Sequence, residues 1–348
     1  MLVMNDDHQF YVMKAYKFVE FVTKVLSLRD NSTIKCFHLC YWFAVHDNVI
    51  SHETTDQWIK LIVRNNVEEV CLEDVDVVPS TLQCLGNMIK TLKLINAFVC
   101  SDHDYYPSDP DNDLIKLNLT CLTLENLIIE DSDDHLDRIT IHGPCLTFLM
   151  IKNGTGLGYP LRAVADRELK ICTPNLRQLY LKGGFLSDYS LKNLCSLDNA
   201  QVDTTVRHND DNTKEYAVDD WCLNKLLKGL VHTKSLTLSA DAFQEYRQSL
   251  TKEEGYSHNI FPKMKSVEIK GIDGTDEEFK FLKFVLKVAL KLEKVTVPTR
   301  PTRALSKNAL QKLAELYKKI QDLHRSSASV AMLLNSCVPK HLGKEILL

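Results

Sequence analysis

Three apolar residues recur along this chain in the frame apolar-x-x-apolar-x-apolar. The instances are Ile34/Phe37/Leu39, Val67/Val70/Leu72, Ile89/Leu92/Leu94, Leu119/Leu122/Leu124, Leu136/Ile139/Ile141, Leu146/Leu149/Ile151, Leu176/Leu179/Leu181, Met264/Val267/Ile269 and Leu292/Val295/Val297. Thr233/Leu236/Leu238 is a damaged further copy. In a chain that is 45% hydrophobic the frame alone arises by chance about 30 times, so the residues between must decide. Of those 27 intervening positions 21 are polar, which is the alternation of a strand with one buried face.

Helical periodicity separates some of these strands. Phe18, Phe21, Val22, Val25 and Leu26 form the stripe of an amphipathic helix. Thr54 or Thr55 is placed to cap a second helix, running to about Arg64 and burying Trp58, Ile59, Ile62 and Val63. Gly274-Thr275-Asp-Glu-Glu278 reads as a capping box opening a helix whose stripe is Phe279, Leu282, Val285, Leu286 and Ala289. A last helix is expected over 307–323, and Val330–Leu334 as an edge strand.

A frame of this kind is the strand half of a leucine-rich repeat, in which each repeat buries its apolar edge against its neighbours. The predicted fold class is therefore α/β: a leucine-rich-repeat solenoid with a curved, mostly parallel sheet and helices or loops on the convex side. The interval of ten between Ile141 and Ile151 is too short for a helical crossover, so a helix-free turn or a hairpin is expected around His142-Gly-Pro-Cys. Leu194–Val202 fits a further strand in the widest gap. Val75, Ala97 and Leu127 stand three residues after the last apolar position, which argues against an asparagine ladder. Ser101–Asp113, Thr204–Glu215 and Pro298–Ser306 lack pattern and read as loops or connectors.

Composition narrows the function classes. The formal charge of −4 gives no general attraction to nucleic acid or anionic lipid. Eleven acidic side chains stand against Lys116 alone between Ser101 and Asp137, which the bland reading assigns to solvated loops. From Lys263 to Arg325 fifteen basic side chains face eight acidic ones, as on a lysine-faced helix. Eleven cysteines with no CxxC pair fit reduced thiols, the start of the chain carries no basic secretory region, and no apolar run spans a membrane. A cytoplasmic or nuclear protein is expected.

Candidate chemistry is thin. Gly154-Thr-Gly-Leu-Gly158 lacks the Lys-Ser/Thr of a phosphate loop, and Asp109, Asp111 and Asp113 lack the glycine and glutamate of a calcium loop. Cys36, His38 and Cys40 share one strand face with no partner pair nearby and read as ordinary strand residues. No Ser, Cys or carboxylate sits in a recognisable catalytic motif, so no enzyme, cofactor or metal is expected.

A binding surface is better founded. Strand parity sends the apolar positions inward and leaves Glu69, Cys71, Glu73, Thr91, Lys93, Thr123, Glu125, Gln178, Tyr180, Lys182, Ser266, Glu268 and Lys270 on the open face. Tyr180, between Gln178 and Lys182, is the leading anchor candidate.

Several blocks resemble one family. Phe261-Pro-Lys-Met-Lys-Ser-Val-Glu-Ile-Lys-Gly271, Gly274-Thr-Asp-Glu-Glu and Val285–Val297 look like an FBD domain. Phe21–Lys35, Trp58-Ile with Asn66-Val-Glu-Glu-Val-Cys-Leu72, Ile171-Cys-Thr-Pro-Asn-Leu-Arg-Gln-Leu and Leu194–Val202 are similar to parts of the plant F-box proteins that carry leucine-rich repeats and a C-terminal FBD domain. The resemblance implies an N-terminal tail (1–17), an irregular solenoid (18–255), an FBD unit closing it (256–334) and a C-terminal tail (335–348). It also implies a non-enzymatic module that binds protein substrates, as the recognition region of a ubiquitin-ligase adaptor does. The family's F-box would precede Phe18, and none of the first seventeen residues resembles it. Docking to a Skp-type adaptor is therefore not expected. The alternatives are a fragment of a complete SCF-type adaptor and a small-molecule-binding repeat receptor, for example with a pocket under Ser101–Asp113.

Overall fold

In the computed structural model the repeated frame becomes a repeated parallel strand. The structure describes residues 6–29, 33–41, 50–64, 66–99, 115–131, 136–152, 168–183, 188–204, 220–240, 260–272, 275–298, 315, 318–319 and 331–333. Two compact units divide the chain, Met1–Leu176 and Arg177–Leu348.

In chain order the first unit holds α1 (Asp6–Leu28), β1 (Cys36–Cys40), α2 (His52–Val63), β2 (Glu69–Glu73), β3 (Asp76–Val77), α3 (Pro79–Gly86), β4 (Thr91–Ile95) and β5 (Phe98–Val99). It continues with β6 (Ile115–Thr120), β7 (Asn126–Glu130), β8 (Leu136–His142), β9 (Phe148–Lys152) and β10 (Glu168–Cys172). Strands β1, β2, β4, β7 and β9 pair in that order as a parallel front sheet. Behind it run α1, α2 and α3, each packed on the next, then β6 against α3, then the parallel strands β6, β8 and β10. The short pair β3–β5 forms where the chain leaves β2 and β4.

One backbone step joins each front strand to its neighbour. The Lys35 carbonyl accepts from the Glu68 and Glu69 amides at 3.3 and 3.0 Å, and the Glu68 carbonyl from Lys90 and Thr91 at 2.9 and 3.1 Å. The Lys90 carbonyl takes Glu125 and Asn126 at 2.8 and 2.9 Å, and the Glu125 carbonyl takes Thr147 and Phe148 at 2.8 and 3.1 Å. Immediately before each of these carbonyls sits the first apolar residue of a frame: Ile34, Val67, Ile89 and Leu124, all buried.

This step corrects one expected frame. Leu119/Leu122/Leu124 is split: Leu119 lies in β6, Leu122 is 57% exposed, and Leu124 starts the true frame Leu124/Leu127/Ile129. Leu136/Ile139/Ile141 is likewise a back-sheet strand, β8, and not a front strand. The first apolar positions of the front sheet are then Ile34, Val67, Ile89, Leu124 and Leu146, spaced 33, 22, 35 and 22 residues. The interval of ten is the connection from β8 to β9, which pair with different strands, so it is the helix-free turn and not a hairpin.

The helices follow the expected stripes with shifted detail. Helix α1 begins at Asp6, well before Phe18, so the expected tail 1–17 is partly helical. It buries Ala15 and Leu26 and leaves Phe21 and Val25 at 64% and 48% exposure, because its inward stripe is narrower than the apolar run. Helix α2 is capped by Ser51, whose side chain accepts from the Thr54 amide at 3.3 Å, and not by Thr54 or Thr55. Thr55 is buried and instead meets the Tyr41 hydroxyl at 2.8 Å. Trp58, Ile59, Ile62 and Val63 are buried, and the Trp58 indole donates to Thr23 Oγ1 at 2.9 Å.

The second unit repeats the same step. It holds β11 (Gln178–Gly183), β12 (Asp188–Lys192), β13 (Asn199–Thr204), α4 (Asp220–Gly229), β14 (Ser235–Ser239), β15 (Ser266–Lys270), α5 (Asp276–Val288), β16 (Lys294–Thr296) and β17 (Ala331–Leu333). Strands β11, β13, β14, β15, β16 and β17 pair in parallel in that order, with α4 packed on β12. The carbonyls of Arg177, Asp198, Lys234 and Lys265 each accept two consecutive amides from the following strand's bend. The strand expected from Leu194–Val202 and the edge strand at Val330–Leu334 are β13 and β17. The Thr275–Glu278 capping box is formed, with Glu278 Oε2 accepting from the Thr275 amide at 2.8 Å. On the inner face of α5 Phe281 is buried with Leu282, Val285 and Leu286, as is Ala289 at its C-terminal end, while the expected Phe279 is half-buried.

The glycine turn 154–158, the Asp109–Asp113 cluster and the loop 101–113 lie outside the described residues. Of the helix expected over 307–323, Glu315, Lys318 and Lys319 are described and helical. Among the described residues no helix is long and apolar enough to cross a membrane.

Two stability predictions follow from the frames. Leu127→Asp, which buries an unpaired charge between β4 and β9, should cost more than about 3 kcal/mol in urea denaturation, while Leu122→Asp should stay within about 0.5 kcal/mol. The reverse order would restore the frame at Leu119. Thr233 occupies a first frame position, is fully buried, and its hydroxyl has no hydrogen-bond partner. Thr233→Val should therefore stabilise the chain by roughly 1 kcal/mol or more, read as a raised Tm; a lowered Tm would show that the hydroxyl is satisfied.

Candidate functional site

Because front strands pair residue for residue, outward side chains line up in rows across each unit. In the first unit the middle row is His38, Cys71, Lys93, Ile128 and Met150; the row on one side is Cys36, Glu69, Thr91, Asn126 and Phe148. On the other side run Cys40, Glu73, Ile95, Glu130 and Lys152. In the second unit Gln178, Asn199, Ser235, Ser266 and Lys294 form one row, and Tyr180, Gln201, Thr237, Glu268 and Thr296 the next. Lys182, Asp203 and, further along, Ser239 and Lys270 complete the third.

The candidate residues therefore fall into two groups. Glu69, Glu73, Thr91 and Lys93 lie together on β2 and β4, and Gln178, Tyr180, Lys182, Glu268 and Lys270 on β11 and β15. Glu69, Gln178 and Lys182 are exposed; Glu73, Thr91, Lys93, Tyr180, Glu268 and Lys270 are half-buried. Thr123 and Glu125 are exposed but stand in the turn before β7, as the corrected frame requires. The Thr123 hydroxyl donates to the Ile89 carbonyl at 3.1 Å, so its role there is to hold the turn. On β7 the outward positions belong to Asn126, Ile128 and Glu130, and the Asn126 amide donates to Thr91 Oγ1 at 3.1 Å.

The misplaced frame hid an apolar stretch of this face. Ile95, Ile128, Phe148 and Met150 are half-buried neighbours on β4, β7 and β9. Beside them Lys152 binds Glu130 and approaches Asp131 at 3.4 Å, and the Glu130 carboxylate leads the causes that raise the lysine's pKa. Lys182 and Asp203 form a looser pair at 3.8 Å in the second unit.

A second feature lies one position before Val75 and Ala97. Asp74, Asn96 and Asp131 each follow a front strand with φ of 52°, 48° and 50°, the left-handed region that Asp and Asn tolerate. They stand two residues after Leu72, Leu94 and Ile129, whereas the asparagine of an ordinary ladder stands at three. Asn96 Nδ2 donates to Asp74 Oδ1, and the Asn96 and Asp131 amides donate to the Glu130 and Lys152 carbonyls at 2.8 and 2.7 Å. The sequence signal was an Asp or Asn at the second position after the frame.

The edge of the same face gathers thiols. Cys36, His38 and Cys40 meet Glu69, Cys71 and Glu73 in register, so the partners absent from the local sequence arrive from β2. His38 Nε2 lies 2.8 Å from Glu73 Oε2. Partial burial pushes the Cys71 thiol's pKa up, helped by the Glu73 charge and opposed by Lys93. Cys121, buried behind the sheet, is pushed up to about 11 by burial. Cys36, Cys40, Cys71, Cys84, Cys121, Cys145, Cys172 and Cys195 carry free thiols.

In the second unit a cavity of about 250 Å³ opens among Arg177, Asp198, His232, Lys234 and Lys263 at the start of the front strands. Lys234 is paired with Asp198 at 2.7 Å, and Lys263 donates to the Cys195 carbonyl at 3.3 Å. Its volume falls below the ~300 Å³ at which ligand pockets usually begin.

The second unit contains the strand–helix–strand run β15–α5–β16. Residues 263–297 match the FBD family. The FBD segment thus includes the capping box, both strands and the outward residues Ser266, Glu268, Lys270, Lys294 and Thr296. No curated protein matches the chain.

Proposed function

We propose that this chain is a protein-interaction module whose parallel strands are turns of a leucine-rich-repeat solenoid, and that its open sheet face holds a polypeptide partner. The observation that carries the reading is the FBD match over 263–297, a segment that points to an F-box-associated interaction role. Its finer form is the substrate-recognition region of a plant F-box ubiquitin-ligase adaptor, working in the cytoplasm or nucleus. Support for that comes from the resemblance of Phe21–Lys35, Asn66–Leu72 and Leu194–Val202 to the family's repeats.

The face has the composition of a contact surface for protein. Ile128, Phe148 and Met150 offer adaptable apolar area, flanked by Lys93, Glu130 and Lys152. Aromatic residues and methionine concentrate at interface centres and charges at the rim. Tyr180 plays the corresponding part in the second unit, beside Gln201 and Lys182.

Site-specific photo-crosslinking in plant lysate tests the proposal. A crosslinker at Met150 or Tyr180 should trap a discrete polypeptide, and one at Gln57, exposed on α2, should not. Met150→Asp should cut the yield at Lys93, in the same row of the first unit, at least tenfold while leaving the circular dichroism unchanged. Equal trapping from Gln57 and the face, or a ligand-dependent rise in Tm without any polypeptide adduct, would overturn it in favour of a back-surface contact or a small-molecule receptor.

A further inference from the structure

We propose that the outer corner of the first unit's open face, where β1 meets β2, is a binding site for a thiophilic divalent cation of the zinc type, held by Cys40, Glu73 and Asp74 with a fourth position open to water. Cys40 and Glu73 are direct neighbours in register, and Asp74 follows Glu73. One ligand atom from each of Cys40, Glu73 and Asp74 lies within 4.8 Å of the others. Cys40 Sγ is 4.0 Å from Asp74 Oδ2, and His38 Nε2 is 2.8 Å from Glu73 Oε2.

These separations are close to what a tetrahedral ion requires. Bonds of ~2.3 Å to sulfur and ~2.0 Å to oxygen or nitrogen place ligand atoms roughly 3.3–3.5 Å apart. The Cys40–Asp74 edge must close by about half an ångström, and the Glu73 carboxylate must turn from His38 toward the ion. Both are within the reach of side-chain torsions, since the three groups project from two hydrogen-bonded strands and the residue that follows them.

The surroundings fix the ligands in the way metal sites need. Asp74 is held in the left-handed conformation at φ 52°, with its amide donating to the Ile95 carbonyl at 3.0 Å. Asn96 Nδ2 engages Oδ1 of Asp74, while it is Oδ2 that approaches the Cys40 sulfur. That is the outer-shell orientation of a ligating carboxylate. The donor set decides the ion. One thiolate and two carboxylates suit zinc, whereas magnesium and calcium demand oxygen shells of six or more, and copper(I) favours sulfur-only sets.

The test uses the full chain, freed of metal by chelator and kept reduced. Zinc titrated in competition with a chromophoric chelator should bind at one equivalent, and Cys40→Ser and Asp74→Asn should each weaken it at least tenfold. Cys84→Ser, an exposed thiol on α3, should leave it unchanged. Cobalt(II) in place of zinc should give a thiolate charge-transfer band that disappears in Cys40→Ser. Absence of stoichiometric binding, or affinity indifferent to Cys40 and Asp74, would overturn the proposal. So would a band that survives Cys40→Ser and is lost in Cys71→Ser, which would make Cys71 the sulfur ligand.

Discussion

The rest of the structure depends on a single arrangement repeated at eight front strands: one carbonyl at the strand's mouth receives two consecutive amides of the next bend, above a buried residue that is apolar at all of them except Thr233. At Lys35, Glu68, Lys90 and Glu125 in the first unit, and at Arg177, Asp198, Lys234 and Lys265 in the second, the geometry recurs with little change. The bend would otherwise leave backbone donors unpaired beside a dry core, a cost that outweighs most side-chain contacts. Ile34, Val67, Ile89 and Leu124 seal it from below. A strand can therefore be added only beside another that supplies the carbonyl, and parallel growth in one direction follows.

That constraint leaves the return path free. Helices α2 and α3 lead into β2 and β4, strands β6 and β8 into β7 and β9, and helices α4 and α5 into β14 and β16. The front step does not change with the element behind it. Outward residues on the front sheet are then released from packing duty, and their chemistry varies from thiols and imidazole at β1–β2 to Ile128 and Met150 at β7–β9. Variation on an invariant frame is what allows one architecture to carry different contacts.

Much of this was legible in the residues. The frame marked most front strands, the capping box at Thr275 was readable as such, and β13 and β17 were predictable from short apolar runs. The frame at Leu119 misled because Leu119, Leu122, Leu124, Leu127 and Ile129 satisfy it in two overlapping registers, and only the lateral hydrogen bonds to Lys90 choose between them. Leu136/Ile139/Ile141 has the same alternation as a front strand because a back-sheet strand buries one face in the same way. Phe21 and Val25 fit a helical stripe that the neighbouring α2 is too narrow to cover. The cluster around Cys40 was invisible for a different reason: Glu73 and Asp74 are more than thirty residues away in sequence and adjacent only through strand register.

The central claim is that frame residues stabilise the chain through adjacent repeats alone, and double-mutant cycles in urea test it most directly. Leu92 and Leu127 are direct neighbours on β4 and β7, whereas Val70 on β2 and Leu149 on β9 are separated by those two strands. Strand spacing of ~4.8 Å sets the second pair roughly 14 Å apart. Leu92→Ala with Leu127→Ala should show a coupling energy of about 0.5–3 kcal/mol, and Val70→Ala with Leu149→Ala should be additive within about 0.5 kcal/mol. Coupling as strong across β2 and β9 as across β4 and β7 would contradict a core built from nearest-neighbour repeats.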